Sequence, residues 1–135
     1  MKKPSSLINI AMALTSLFAL APAQGQNWPA KPVRIVVPLT GGSNADILAR
    51  TLAGKLQQQF NQTFLVENRA GGNGVIGVNH VAKAEPDGYT LLVHTSSYTV
   101  TPVTSNDLPY DTVRDFAGIT PLGVAPLAMI ISPAK

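Results

Sequence analysis

The chain has 135 residues, 45% of them hydrophobic and 13% charged, which is enough for one modest globular unit with its own core. It has no cysteine, which excludes disulfides, thiol chemistry and zinc–cysteine sites. The net charge of +3 leans on Lys2 and Lys3: without them eight basic side chains face seven acidic ones, scattered singly, with no basic stripe to suit a nucleic acid.

Lys2 and Lys3 precede a mostly apolar run from Leu7 to Leu20, and Ala21-Pro22-Ala23 then gives an A-x-A cleavage pattern. This layout predicts a secretory signal peptide over residues 1–23, cut near Ala23 to Gly25. The run falls short of the roughly 20 apolar residues that a membrane span needs. The mature chain is therefore expected to be exported and soluble.

Trp28 to Pro32 reads as an extended lead-in, because residues before proline avoid the helical region. Val33 to Pro38, "VRIVVP", is β-branched and nearly all apolar, the pattern of a central strand buried on both faces. After the loop "LTGGSN", Ala45, Leu48, Ala49, Leu52, Ala53, Leu56 and Phe60 recur at three- and four-residue steps and predict a helix. Ser43 or Asn44 can cap it, and Asp46 suits the positive end of its dipole.

"TFLVE", residues 63–67, predicts a second strand, followed by a glycine loop and a helix from about Val75 to Ala84. Pro86-Asp87-Gly88 is a turn signal, and "YTLLVH", residues 89–94, a third strand. Ser96 to Pro102 is Thr-rich and reads as a loop with a short helix start. "FAGITPLGV" and "LAMIIS" look like two more strands, limited to edges or bends by Pro121 and Pro126. The order β-α-β-α-β, with helices of crossover length, predicts an α/β fold: a parallel-type sheet flanked by helices on both faces.

Gly72-Asn73-Gly74-Val75-Ile76-Gly77 spells G-x-G-x-x-G, the dinucleotide fingerprint. The surroundings do not fit it. Four residues, Asn68 to Gly71, separate the strand from the first glycine, and the next strand ends in His94-Thr95-Ser96-Ser97 where an acid should hold the ribose. No cofactor is expected. The physics of the loop survives without the nucleotide, since a helix N-terminus presents unpaired N–H groups and glycines admit a ligand to the backbone. The arrangement occurs twice, at Thr40-Gly41-Gly42-Ser43-Asn44 and at Gly71 to Gly74, and Thr95-Ser96-Ser97 adds hydroxyls at the same end of the sheet. Three such loops suit a small anion, most simply a carboxylate. The candidate ligand-binding residues are Thr40, Gly41, Gly42, Ser43, Asn44, Gly72, Asn73, Gly74, His94, Thr95, Ser96 and Ser97. His94 reads equally well as a crevice side chain and as a buried, hydrogen-bonded one, His80 as a helix-surface residue, and Arg69 either as a partner for a ligand carboxylate or, the favoured reading, as a brace against Glu67 or Asp87. With no G-x-S-x-G and no H-x-x-H or carboxylate cluster, no catalytic residue and no metal ligand is assigned.

"WPAKPVRIVVPLTGGSNADILARTLAGKL", "VENRAGGNGVIG", "AEPDGYTLLVHTSS" and "LPYDTVRDFAGIT" together resemble the substrate-binding proteins of tripartite tricarboxylate transporters, the Bug family of periplasmic receptors. The resemblance covers the chain from about Trp28 to Lys135. It implies a two-lobed, type II periplasmic-binding-protein-like fold. It implies a receptor, not an enzyme, that binds a small carboxylate in the periplasm and delivers it to membrane transporter subunits. The full-length protein would be a monomer, with residues 24–123 as most of the first lobe and 124–135 starting the crossing to the second. The chain departs from the family where Thr40 and Ala70 stand at usual prolines and Asn73 at a usual glycine. An exported α/β enzyme or a sensor-accessory protein acting on a small carboxylate are the alternatives left open.

Overall fold

A computed structural model describes residues 28–105, 107–126 and 129. The signal peptide expected at residues 1–23 and nearly all of the expected "LAMIIS" strand lie outside them.

Three parallel strands, β1 (Val33–Val37), β2 (Phe64–Asn68) and β3 (Thr90–Leu92), form one sheet in the order β2-β1-β3. Helix α1 (Asn44–Phe60) joins β1 to β2, and α2 (Val75–Ala82) carries the chain back across β1 to β3. A third helix, α3 (Ser97–Thr104), follows β3. The register pairs Ile35 with Val66 on one side and with Leu91 on the other.

β1 is the buried centre that its sequence predicts. Val33, Ile35, Val36 and Val37 are fully buried, and only Arg34 reaches solvent. Side chains alternate across a strand, so Val33, Ile35 and Val37 share one face. There they pack with Ala45, Ala49 and Ala53 of α1, Phe64 and Val93. The buried line of α1 is narrower than its apolar stripe: the alanines let the helix settle close to the sheet, while Leu48 is left 44% exposed at the margin. Val36 belongs to the opposite face, where α2 lies over β1 and β3 and buries Val78.

At the amino ends of the strands Trp28 closes the core, its ring edge-on to Phe60 at 5.7 Å and to Phe64 at 6.5 Å. It also lies 6.1 Å from the Tyr89 ring, over which Lys31 Nζ sits at 4.4 Å on its way to Asp87 Oδ2, 3.0 Å away. This pole is filled by side chains, so the opposite, carboxyl pole is the one left for a site.

Three expectations need correction. The Thr-rich segment is a full helix over Ser97–Thr104, because Thr101 and Thr104 hydroxyls donate back to the Ser97, Val100 and Thr101 carbonyls and offset the rung lost at Pro102. α2 stops at Ala82 and finishes in a turn, with Ala84 N–H donating to Val81 O. "FAGITPLGV" forms no strand; residues 117–126 run exposed outside the sheet, and Pro121 lacks the N–H a ladder needs.

Candidate functional site

The strand order places a topological switch between β1 and β3: the chain leaves β1 toward β2 and then crosses back. In such sheets the crevice outside the carboxyl ends of the strands is where ligands bind. All three loops of interest leave that end.

The first loop, Pro38 to Ser43, is held by its own helix. Ser43 caps α1, its Oγ accepting the Asp46 N–H at 3.3 Å, and the Ser43 N–H donates to Thr40 O at 3.3 Å. Gly42 sits at φ +81°, where a side chain would be strained, and its N–H donates to Asp46 Oδ2 at 2.9 Å. That amide is therefore spent within the protein. Asp46 is buried and holds more partners than a cap needs: Arg50 Nε at 3.1 Å and Nη2 at 3.0 Å, and Asn68 Nδ2 at 2.9 Å. The Arg50 hydrogen bond foremost, then those from Gly42 and Asn68, hold its carboxyl down at about 2, against an ordinary 3.8.

The second loop answers the question its glycines pose. Gly71, Gly72, Asn73 and Gly74 all have positive φ, at 132°, 53°, 54° and 90°. Only glycine and, at a cost, asparagine accept a run of this kind, which is why the segment is glycine-rich without any nucleotide. Gly77 has a different task. A Cβ there would stand 2.7 Å from Arg69 O and 2.7 Å from Pro38 Cβ, so α2 approaches the end of β1 as closely as backbone allows. Arg69 braces the same corner through Glu67, 2.6 Å from its Nη2.

In the third loop His94 Nδ1 accepts the Thr95 N–H at 2.8 Å. A backbone N–H can only donate, so the neutral ring carries its proton on Nε2. Burial lowers the His94 pKa below its ordinary value and keeps the ring neutral near pH 7. Thr95 Oγ1 and Ser97 Oγ share a hydrogen bond of 2.8 Å, with Ser97 Oγ also 3.4 Å from His94 Nδ1. That last contact looks like a nucleophile beside a base, but the Nδ1 lone pair already holds the Thr95 amide. Among the described residues no carboxylate hydrogen-bonds to His94 Nε2 and no group of three metal-ligating side chains occurs.

The loops converge on Pro38. A Cβ on Gly74 would lie 3.0 Å from His94 Nε2 and 3.5 Å from Pro38 O, so the second loop reaches across β1 to the end of β3. A Cβ on Gly41 would lie 3.9 Å from Asn68 Oδ1, which ties the first loop to the root of the second. Thr40, Gly41, Gly42, Asn44, Gly72, Asn73, Thr95 and Ser96 are exposed around this junction, with Ser43, His94 and Ser97 half-buried and Gly74 buried. No hydrogen bond among the described residues joins the first loop directly to the third. Asn68 and Arg50 are the residues that sequence reasoning passed over; the only signal for them is a polar residue ending an apolar strand and an arginine one helical turn after Asp46.

Residues 48–135 match the tripartite tricarboxylate transporter family receptor, TctC. The chain belongs to this family. A UPF0065 protein of Bordetella bronchiseptica is 41% identical over 110 residues, which are 81% of this chain and 33% of that protein. The periplasmic binding protein BugD aligns at 35% identity with a TM-score of 0.63, over 66% of this chain and 30% of its own. MatC from Rhodopseudomonas palustris, with bound malate, aligns at 30% identity with a TM-score of 0.62, over 66% of this chain and 31% of its own. The chain spans about a third of the length of the curated relatives it matches. TctC and Bug relatives are periplasmic solute-binding receptors, and the parallel sheet with flanking helices is the fold these neighbours share. None of the described helices is long and apolar enough to cross a membrane.

Proposed function

We propose that this chain is part of a periplasmic receptor that binds a small carboxylate and hands it to the membrane subunits of a tripartite tricarboxylate-type transporter. The observation that carries this reading is the convergence of Gly74, His94 and the end of β1 at the carboxyl pole of a parallel sheet. The relative with bound malate supports a carboxylate as the ligand class.

In this reading the ligand is held without covalent chemistry. The Gly72 and Asn73 amides and the Asn44 and Ala45 amides at the start of α1 donate to one carboxylate, as unpaired N–H groups at helix starts do, while the Gly74 N–H is held by Gly71 O at 3.0 Å. The Thr95, Ser96 and Ser97 hydroxyls and the His94 Nε2–H supply further donors. His94 acts as a neutral donor, so selectivity comes from geometry more than from a formal countercharge. Residues 24–123 form most of one lobe and 124–135 lead toward a second that would close over the ligand. Residues 1–23 would direct export and be removed, and the complete receptor would act as a monomer.

The test is to purify the protein gently, release what it carries and identify it by mass spectrometry, then titrate a panel of di- and tricarboxylates by calorimetry. A carboxylate recovered unchanged, binding with one-to-one stoichiometry, is the expected result. Chemical conversion of that carboxylate by the protein would overturn the receptor reading in favour of an enzyme.

A further inference from the structure

Asp46 is 3% exposed, and four donors meet its two oxygens: Gly42 N–H and Arg50 Nε at Oδ2, Asn68 Nδ2 and Arg50 Nη2 at Oδ1. They come from three places: the first glycine loop, the next turn of α1 and the last residue of β2. An amide, a guanidinium and a side-chain amide converging on two oxygens are the donor set of a carboxylate-binding site. Here the carboxylate belongs to the chain.

We infer that Asp46 is the internal carboxylate around which the first glycine loop folds, and so a positioning residue for the ligand crevice. Capping α1 would not require it, since Ser43 already takes the capping amide. The network reaches further than a cap. Asn68 Nδ2 also donates to Leu39 O at 3.2 Å, and Arg50 Nη2 to Asn68 Oδ1 at 3.0 Å, so both ends of the first loop are tied to the strand that launches the second. Two consequences follow for the site. Asp46 withdraws the Gly42 amide from the incoming ligand and leaves binding to the other loop donors. Arg50 neutralises the acid, so the loop offers no net negative charge to an arriving anion. Without Asp46, the Gly42 amide, Arg50 and Asn68 become an open anion site that a small external carboxylate refills.

The consequence for ligand affinity rests on the carboxylate-receptor reading; the self-filled site does not. The test compares the complete receptor with its Asp46→Ala and Asp46→Asn variants, using malate and formate as probes. Malate affinity is read by calorimetry and the Gly42 amide by NMR. Loss of charge-assisted hydrogen bonds is expected to weaken malate binding roughly tenfold or more in Asp46→Ala. Formate is expected to return the Gly42 resonance and much of the affinity in Asp46→Ala, and to do neither in wild type. If the alanine variant does not fold, Asp46→Asn serves: it keeps the shape and one acceptor, and its Gly42 resonance is expected to shift and its malate affinity to fall. Unchanged malate affinity in the variants, or a Gly42 amide indifferent to formate in Asp46→Ala and unmoved in Asp46→Asn, overturns the inference. Failure of wild type to bind any di- or tricarboxylate would strike the receptor reading instead, and the Gly42 response would still decide the role of Asp46.

Discussion

Gly77 shows how one residue fixes the distance between two elements. Its neighbours at the would-be Cβ are Arg69 O and the Pro38 ring, neither of which is the far end of a flexible side chain. Gly77→Ala is therefore expected to push α2 off β1 and cost about 1–3 kcal/mol, the usual penalty for overpacking, read from the midpoint of urea unfolding. An unchanged midpoint would mean that the corner yields more easily than its contacts suggest. His94 permits a prediction with a sign. Burial depresses its pKa below the ordinary 6.5, so the unfolded chain takes up a proton that the folded chain refuses. The stabilisation is fully present above pH 6.5 and is lost as pH falls through the folded pKa. Comparing unfolding midpoints between pH 8 and pH 5 should show wild type losing ground to His94→Gln as the solution is acidified. A difference that stays constant with pH would show that burial does not perturb the ring. The sequence places His94 at the crevice end of β3 but does not say which nitrogen faces out, because that depends on a hydrogen bond to the backbone of its neighbour.

At the scale of elements, β1, α1 and β2 were legible because each has a periodic apolar pattern: a continuous run, a helical stripe and a short β-branched segment. α3 was not, because its threonines satisfy the backbone in either a loop or a helix and Pro102 argues against the helix that forms. The strand expected in 116–124 failed for a different reason: composition reports affinity for a sheet, and it does not bring the segment alongside one. The ends of α1 are testable. Its C-cap, Asn61, has φ +50°, so Asn61→Gly should hold stability and Asn61→Val should lose about 1–2 kcal/mol, the steric cost of the left-handed region. Equal losses in both would point to the Asn61 side chain and away from the backbone. Its N-terminus carries Asp46, held at about 2 when folded against an ordinary 3.8. That stabilisation is complete above about pH 4 and is lost as pH falls toward 2, a window below the His94 effect. Acid titration followed by Trp28 fluorescence should show Asp46→Asn missing the part of the transition that wild type undergoes there, and coincident curves would show that the network adds nothing to stability.

At the scale of the whole molecule the surface is uneven. The amino pole is sealed by Trp28, Phe60, Phe64 and Tyr89, while the segment from α3 onward presents Val100, Val103, Val113, Ile119, Leu122 and Val124 to solvent. Val103 and Val113 are each 83% exposed and Val124 is 95% exposed, values that single scattered surface residues reach but that here recur within one stretch of chain. Relatives about two and a half times as long have further polypeptide with which such a surface can pack. Isolated as residues 24–135, the chain should therefore associate with itself through this surface, since burying apolar area gains about 25 cal/mol per Å² whichever molecule supplies the partner. Sedimentation velocity over a range of concentrations is the measurement, and a weight-average mass that rises with concentration is the expected result. Val103→Lys combined with Val113→Lys should lower the association without altering the Trp28 fluorescence, because neither position touches the core. If the receptor is two-lobed as proposed, the same fragment should bind di- and tricarboxylates weakly or not at all, since hinge closure of two lobes would supply contacts and exclude water, and water weakens the pull of an amide on a carboxylate. A monodisperse monomer that binds malate with micromolar affinity would show that this segment is complete as a unit, and that its donors need no further polypeptide to hold an anion.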